Sequence, residues 1–468
     1  MRKIKKSIIF SVVFSVALLI ARLPAVAAVP FRDLAANAAL LAEVDTGTVF
    51  FEHNMNKSHP ADSLAKVVTL LLVVEACEAG TLDPSDTVEM TETALYNINP
   101  MSTTLGIQPG DVMTLQDLMY CAYVGDANEA CNMIAEYTSG SALTFVMNMN
   151  TYVKGLGCQN TNFTNTHGQY SVMQYTTAAD QFVIFREALS HPLFVEISGA
   201  LRYDADSGGE SGQYKLTSQN SLLNPNSKYY YRPCASGITS ASYEGGYSIV
   251  AFAESEGMSL ISIVLGSETI INEDESADMK NLTESRRLFE WGFSNFSRRT
   301  IVSTDIPVGK APVTHGAGAD FVNLRPESSI TLLLDNDVRD EEFNRKITVY
   351  STENDETLFA PVNAGDVLGE MTVTRNGVEY GTVLLVASTS IELHRLQFIR
   401  MQIADLLTSK AARLIIWALT MLVLGYIALV IRYNILRRRR LQRIAEAKKR
   451  LIEERQNQSS GRDWDRDW

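Results

Sequence analysis

An early stretch of the chain, residues 67–74, is apolar on every face and ends near Gly80. Helices with this pattern lie inside proteins. The stretch follows Asp62-Ser63-Leu64-Ala65-Lys66, in which Ser63 and Lys66 are one helical turn apart and share a face. The pattern therefore predicts a buried helix that begins with an S-x-x-K motif.

Shorter runs with β character lie on both sides of a helix-rich segment. Two of them flank a turn at Asp45-Thr46-Gly47, and two more are joined across residues 254–257 in the pattern of an antiparallel hairpin. Helical periodicity continues to about residue 195, and a last helix is predicted over residues 281–293. This order of elements predicts an α+β domain with one antiparallel sheet.

The beginning of the chain has the layout of an export signal. Basic residues precede the apolar run 7–21, and residues 25–28 are small enough for cleavage. Residues 1–28 are therefore predicted to be a signal peptide, and the remainder is predicted to be exported.

A second long apolar run lies near the other end. Residues 414–431 are uncharged and long enough to cross the hydrocarbon core of a bilayer. The basic run Arg437-Arg438-Arg439-Arg440 follows, and the positive-inside rule leaves that side in the cytoplasm. The alternative, a buried core helix, conflicts with the arginines on both sides. The sequence predicts one transmembrane helix, an exterior of residues 29–413 and a cytoplasmic tail of residues 432–468.

Between the α+β domain and the membrane the pattern changes to short strands. Residues 371–374 and 378–384 flank Asn376-Gly377, the preferred two-residue hairpin turn. This predicts a small β domain over residues 298–395, followed by a juxtamembrane segment, residues 396–413. The expected role of the β domain is to space the first domain from the membrane.

Composition excludes some classes of function. Apolar residues make up 46% of the chain and charged residues 20%, which is ordinary for a folded globular protein. The chain has a net charge of −13 although its tail is basic, so the exterior is more acidic than the whole, and nucleic acid is not expected as its partner. The tail has two open interpretations: it lies along anionic lipid headgroups, or it serves only as a stop-transfer anchor.

The five cysteines do not indicate a metal centre. They form no CxxC pair and have no ligand spacing with the six histidines, so no zinc site and no cofactor are expected from them. Disulfides are not required by the pattern.

The S-x-x-K motif carries candidate chemistry. A serine hydroxyl is a poor nucleophile until a neighbouring group takes its proton, and a lysine among apolar walls can lose its charge and become that base. Ser63 and Lys66 are therefore a candidate nucleophile and base. The alternative is a helix N-cap serine followed by a solvated lysine.

The order of these features resembles the low-molecular-weight penicillin-binding proteins, which are serine-type D-alanyl-D-alanine carboxypeptidases. Besides the S-x-x-K motif, the resemblance rests on colinear segments at residues 44–47, 105–110, 128–130, 165–168, 246–247 and 360–366. It implies a β-lactamase/transpeptidase-like α+β domain over residues 29–297, followed by a small β domain and one C-terminal transmembrane helix.

The resemblance also implies an activity and a location. Terminal D-alanine would be removed from peptidoglycan stem peptides through an acyl-enzyme on Ser63, with Lys66 as the general base. β-Lactam antibiotics would acylate the same serine, and no cofactor or metal is implied. The location would be a bacterial cell membrane, with the catalytic domain outside.

The second motif of the family, S-x-N, corresponds here to Asp126-Ala127-Asn128. Asn128 is expected to hold the substrate backbone. Three interpretations of Asp126 are open: it takes part in proton relay, it pairs with Lys66 and keeps that lysine charged, or it caps the following helix.

The third motif, K-T-G, is altered more strongly. Its triplet corresponds either to Ala235-Ser236-Gly237 or to Ile238-Thr239-Ser240, and its lysine is absent from both. Thr239 and Ser240 are predicted to bind substrate. Arg232, nearby in the sequence, has two open interpretations: a cation that replaces the missing lysine, or a solvated surface arginine. Two functions follow: a peptidoglycan carboxypeptidase, or a catalytically impaired relative that binds wall peptides as a scaffold or sensor.

Overall fold

The computed structural model of the protein describes residue 31 and residues 33–206, 212–271 and 277–459. The predicted signal peptide lies outside the described residues. The chain divides into two compact units, one formed by residues up to 299 together with 332–339, and the other by residues 300–331 and those from 340 onward.

A five-stranded antiparallel sheet forms the centre of the first unit. Its strand order is β2-β1-β11-β10-β9. The predicted strand-turn-strand around residues 45–47 and the hairpin predicted across residues 254–257 are both confirmed by this pairing, and in the structure the second turn is shorter, residues 256–257. Strands of the first unit, numbered along the chain, are β1 Ala38–Glu43, β2 Val49–His53, β3 His59–Pro60, β4 Thr87–Glu89, β5 Val112–Thr114, β6 Tyr175–Thr176, β7 Arg202–Asp206, β8 Gln213–Thr217, β9 Cys234–Ser242, β10 Gly246–Ser255, β11 Met258–Ser267, β12 Thr269–Ile271 and β13 Ala277–Met279.

Helices cover both faces of this sheet. The helices of the unit are α1 Ala65–Glu78, α2 Leu115–Tyr123, α3 Asn128–Ser139, α4 Ala142–Gly155, α5 Ala178–Ala188, α6 Pro192–Ser198 and α7 Lys280–Asn295, with 3-10 turns at Asp62–Leu64 and Glu92–Leu95. Alternate residues of a strand point to opposite faces. Leu40 accordingly joins the core under α1 to α6, whereas Leu41 packs in the core that contains Leu288 and Phe289 of α7. The predicted α+β class is confirmed.

The second unit is a small β structure. Its five-stranded sheet has the order β15-β16-β20-β19-β18. The predicted Asn-Gly hairpin is confirmed, because Asn376 and Gly377 both have positive φ and Arg375 pairs with Val378. Its elements are β15 Gly309–Pro312, β16 Phe321–Pro326, a 3-10 turn Asp340–Glu342, β18 Asn344–Val349, α8 Tyr350–Glu353, β19 Val367–Arg375 and β20 Val378–Ala387. Two more strands, β14 Phe296–Val302 and β17 Ile330–Asp335, each include residues of both units. Strands β14 and β17 pair with each other.

Two further helices follow the β structure. They are α9 Arg395–Thr408 and α10 Lys410–Ser459. Within α10 the segment Arg413–Arg455 contains a window of mean hydropathy 2.6, none of it buried against the rest of the chain. By length and composition this helix can cross a membrane. It includes the predicted span, residues 414–431.

Candidate active site

Ser63 lies in a tight turn that leads directly into helix α1. The 3-10 turn Asp62–Leu64 continues into α1, and Ser63 is half-buried there. The N-cap of α1 is Leu64, and no side chain caps this helix end, so Ser63 is not an N-cap. Ser63 and Lys66 occupy one turn of the chain, as the S-x-x-K spacing predicts.

Lys66 is buried and held by one neighbour. Its side chain is only 1% exposed. The ammonium Nζ donates to the backbone oxygen of Asp126 over 2.6 Å and forms an ion pair with the Asp126 carboxylate. Among the described residues, Ser63 and Lys66 share no hydrogen bond. A solvated lysine is therefore the wrong interpretation, and pairing with Asp126 is what the structure shows.

Asp126 is positioned by the loop between α2 and α3. Its φ of 56° is left-handed, a region that aspartate tolerates better than most residues. The N-cap of α3 is Ala127, so Asp126 does not cap the helix. Its side chain is 22% exposed, and the residue lines a cleft.

The cleft above Ser63 has a volume of about 710 Å³. It brings together five of the six predicted site residues, all except the buried Lys66 beneath Asp126. Its lining comprises Asp62, Ser63, Asn99, Met101, Ser102, Thr103, Asp126, Asn128, His167, Gly168, Gln169, Tyr170, Gln219, Thr239, Ser240, Ala241, Ser242, Tyr243, Tyr247, Met279 and Asn281. A cleft of this size is within the range that holds a small peptide or a drug-sized ligand.

Strand β9 forms one wall of the cleft through its last residues. Thr239 and Ser240 line it, whereas Ala235 and Ser236 do not. Of the two alignments, only the second contributes residues to this lining, and its lysine position, Ile238, is not among them. Ser240 is 5% exposed, and its hydroxyl has no hydrogen-bond partner among the described residues. Arg232 is exposed and does not line the cleft.

Asp62 is a cleft residue that the sequence analysis did not single out. It is 4% exposed, and one carboxylate oxygen, Oδ2, accepts a hydrogen bond of 2.7 Å from the hydroxyl of Ser242. The other oxygen, Oδ1, is buried without a partner among the described residues. Burial raises the pKa of the Asp62 carboxyl, and the Ser242 hydrogen bond opposes that rise. Its position next to Ser63 was the only signal in the sequence.

His167 lies in the turn that closes over the Ser63 turn. Burial, and secondly the Lys66 ammonium, lower the pKa of His167 to about 3. The imidazole is therefore neutral at physiological pH, and its Nδ1 accepts a hydrogen bond from the backbone of Gln169 over 3.2 Å. Next to it, a Cβ on Gly168 would lie 2.0 Å from the backbone oxygen of Asp62. Only glycine allows this close approach.

The electrostatics of the cleft are dominated by carboxylates. Asp62 and Asp126 line it, and no lysine or arginine is among the described lining residues. Lys66, which contacts the lining residue Asp126, is already paired with that carboxylate. The arrangement supplies the Ser63 hydroxyl, the Lys66 amine one helical turn away and the Asp126 carboxylate in contact with that amine, but no free positive charge among the described lining residues.

Family models match both units of the chain. The model described as D-alanyl-D-alanine carboxypeptidase matches residues 24–269. The model described as penicillin-binding protein 5, C-terminal domain, matches residues 296–393.

Curated relatives are similar over most of the chain. The D-alanyl-D-alanine carboxypeptidase DacF of Bacillus subtilis is 26% identical over 347 residues, which is 73% of this chain and 82% of the relative. The D-alanyl-D-alanine carboxypeptidase DacC of Escherichia coli is 28% identical over 360 residues, which is 76% of this chain and 84% of the relative.

Solved structures share the fold. The peptidoglycan synthesis regulatory factor (PBP3) of Streptococcus pneumoniae has a TM-score of 0.57 at 22% identity, over 77% of this chain and 100% of that one. Penicillin-binding protein 5 of Haemophilus influenzae has a TM-score of 0.55 at 24% identity, over 77% of this chain and 98% of that one. The predicted fold, an α+β domain followed by a β domain, is the one these proteins have. With its family model matched over more than half of its length, the chain belongs to the D-alanyl-D-alanine carboxypeptidase family.

Proposed function

We propose that this protein is a serine-type D-alanyl-D-alanine carboxypeptidase that removes the terminal D-alanine from peptidoglycan stem peptides. One observation carries the proposal: the buried amine of Lys66 lies one helical turn from Ser63, at a cleft large enough for a peptide end. The activity named for the relatives DacF and DacC supports it.

The reaction proceeds through an ester on Ser63. The Ser63 oxygen attacks the carbonyl carbon of the penultimate D-alanine, and the peptide C–N bond breaks. The serine proton passes to the Lys66 amine and then to the leaving nitrogen of the terminal D-alanine. Water then hydrolyses the ester and restores the serine hydroxyl. The backbone N–H of Ser63, at a helix start, stabilises the oxyanion of each step.

Asp126 acts as the proton relay of this site. The ion pair must first lose its charges, because only a neutral Lys66 can take the serine proton. Transfer of one proton along the existing Lys66–Asp126 hydrogen bond produces a neutral amine and a neutral acid with no movement of heavy atoms. When substrate expels water from the cleft, this transfer becomes more favourable, because burial removes more hydration free energy from a charged pair than from a neutral pair.

The remaining predicted residues bind the substrate. The buried amide of Asn128 lines the cleft and is suited to the substrate backbone. Thr239 and Ser240 on strand β9 offer hydroxyls to the terminal residue, and the unpartnered Ser240 hydroxyl is available for this contact. β-Lactam antibiotics enter the same cleft and acylate Ser63.

The protein is further proposed to be anchored by one membrane pass. The span is residues 414–431 within α10, and the tail from residue 432 is cytoplasmic, which leaves the catalytic domain outside the cell. The functional domains are proposed as residues 29–297 for catalysis and 298–395 for spacing, with a cleaved signal at residues 1–28.

The test is covalent labelling of the full-length, detergent-solubilised protein with a fluorescent penicillin. The expected result is a stable adduct that is lost in Ser63→Ala and retained in Ser58→Ala, a control serine that is exposed and outside the cleft. Release of D-alanine from a pentapeptide ending in D-Ala-D-Ala is the second readout. A folded protein that forms no adduct and releases no D-alanine would contradict the proposal and favour a wall-binding scaffold.

A further inference from the structure

Four ionisable side chains of the first unit lie close together, away from the cleft. Glu75 and Glu78 lie in the last turns of α1, Glu187 lies near the end of α5, and His191 directly precedes α6. The ring nitrogen Nδ1 of His191 is 2.7 Å from Oε2 of Glu78. Its other nitrogen, Nε2, is 3.6 Å from Oε1 of Glu75 and 4.0 Å from Oε1 of Glu187.

The contact with Glu78 fixes the orientation of the imidazole. A carboxylate accepts hydrogen bonds, so Nδ1 of His191 is the donor and carries the proton. In the neutral ring the lone pair is then on Nε2, which faces the oxygens of Glu75 and Glu187. A carboxylate that holds the far nitrogen of a histidine is the usual companion of a metal-bound imidazole.

Nε2 itself lacks a partner. It is buried, and it makes no hydrogen bond to any described residue, because its distances to both carboxylates are too long. Tyr152 donates its hydroxyl hydrogen to Oε1 of Glu75 and so holds that carboxylate in place. A buried nitrogen without a partner, placed between two anchored carboxylate oxygens, is a position for a cation.

The three possible ligand atoms have suitable separations. Nε2 of His191 and one oxygen each of Glu75 and Glu187 all lie within 4.8 Å of one another. Ligands bound at roughly 2.0–2.2 Å around a tetrahedral zinc ion are about 3.4 Å apart, so small side-chain rotations close the site.

The local charge balance also favours a cation. Among the described residues, no lysine or arginine forms a hydrogen bond or ion pair with Glu75, Glu78 or Glu187. The four side chains are only partly exposed, from 17% for His191 to 42% for Glu187, so an ion can enter and still be largely desolvated. A divalent cation would offset two of the three negative charges.

We propose that Glu75, Glu187 and His191 bind one Zn²⁺ ion, with Glu78 as the positioning residue. Imidazole together with carboxylates favours zinc over Mg²⁺ or Ca²⁺, which prefer oxygen ligands alone. The ion joins the end of α1, the helix that carries Lys66 at its other end, to the segment between α5 and α6. Its role is structural, and it does not depend on the proposed reaction at Ser63. The cysteine and histidine spacing used above does not detect such a site, because two of its ligands are glutamates and they come from separate elements.

The test measures Zn²⁺ binding to the full-length protein without a polyhistidine tag. Equilibrium dialysis with metal analysis is expected to give one Zn²⁺ per chain. His191→Gln and Glu187→Gln should each weaken binding at least about tenfold, and Glu78→Gln about ten- to hundredfold. His53→Gln, an exposed histidine outside the cluster, is the matched control and should bind zinc normally. Cys77→Ser, in the same helix, controls for thiol binding and should also bind normally.

Thermal unfolding distinguishes loss of zinc binding from loss of stability if a variant is less stable than the wild type. At a free Zn²⁺ concentration of one hundred times Kd, the melting temperature of the wild type should rise by about 4 °C relative to EDTA. The His191→Gln variant should show no rise, whatever its own melting temperature. The proposal is wrong if the wild type binds no Zn²⁺ at about 100 μM, or if it binds equally after His191→Gln.

Discussion

The ion pair under the cleft provides the sharpest test of the site, through Asp126→Asn. The change keeps the size of the side chain and removes the one carboxylate that contacts the Lys66 ammonium within the described part of the chain. Lys66 stays 1% exposed, so water cannot replace the lost partner. Removal of one partner of a buried ion pair costs about 3–5 kcal/mol.

The free-energy cost of deprotonating Lys66 in this variant has the same magnitude. Lys66 can avoid an unpaired charge by releasing its proton. An unperturbed lysine does so at about pH 10.4, so neutralising it at pH 7.5 costs about 4 kcal/mol. For a unit of about 300 residues the unfolding entropy is roughly 0.6 kcal/mol per kelvin. The expected melting temperature of Asp126→Asn is therefore about 6 °C below that of the wild type at pH 7.5.

The difference in melting temperature between Asp126→Asn and the wild type should decrease as the pH rises. In the folded variant Lys66 is neutral, whereas in the unfolded chain it remains protonated up to about pH 10.4. The unfolded state thus binds one proton more, and the stability of the variant rises by about 1.4 kcal/mol per pH unit. The melting temperature should recover by about 2 °C per unit between pH 7.5 and 9.5.

The assay is near-UV circular dichroism of the full-length protein in detergent at pH 7.5, 8.5 and 9.5, each compared with the wild type. Asp180→Asn is the matched control, since Asp180 is buried and accepts hydrogen bonds from the Asn160 backbone and Thr161 rather than from a lysine. Its deficit should not change over this range. Adding Lys66→Met to Asp126→Asn should restore most of the loss, because no charge remains to be buried. A pH-independent deficit in Asp126→Asn, or none, would refute this account of the ion pair.

Three further changes probe the walls of the cleft. Thr239→Lys should speed acylation by penicillins at least about tenfold, because a charge pair about 5 Å apart is worth about 3 kcal/mol at an effective dielectric constant of about 20. Ala235→Lys adds the same charge on the same strand outside the cleft and should leave the rate unchanged; equal rates for the two variants would contradict the placement of Thr239 in the wall of the cleft. Asp62→Asn should stabilise the protein at pH 7. Because the pKa of Asp62 is raised in the folded state, its ionised form destabilises the fold above that pKa. The gain should therefore diminish as the pH falls through the raised pKa toward the ordinary value of 3.8, and melting curves at pH 7 and pH 4 test the sign. Gly168→Ala should abolish labelling and lower the free energy of unfolding by about 2–3 kcal/mol, since the new Cβ would lie 2.0 Å from a backbone oxygen. Gly157 has a similar φ of 93° but open space around it, so Gly157→Ala should lower the free energy of unfolding by only about 1 kcal/mol.

Local patterns predicted much of the fold. The helix after Ser63 and the hairpin at Asn376-Gly377 depend on periods of 3.6 and 2 and on a turn that needs positive φ, all of which are properties of adjacent residues. The S-x-x-K pair was predictable for the same reason. Its two members are separated by a single turn, so no distant part of the chain has to be known.

The electrostatic state of the site was not predictable in this way. Three interpretations of Asp126 were open because its partner Lys66 is 60 positions away in the sequence. Asp62 was missed because the residue that anchors it, Ser242, is 180 positions away. No periodicity links residues at such separations, and only the packing of α1 against the α2–α3 loop and strand β9 brings them into contact.

The sequence by itself determined the clearest helices and strands, the order of an α+β fold before a β fold, the apolar C-terminal helix and the one-turn spacing of Ser63 and Lys66, because each of these follows from spacing along the backbone. Only the tertiary structure decided that Lys66 is paired with Asp126, that the described lining of the cleft carries two carboxylates and no lysine or arginine, and that His191 faces two glutamates from two different helices. Interactions between charged groups depend on distance and burial in space, and those quantities exist only once the chain has folded.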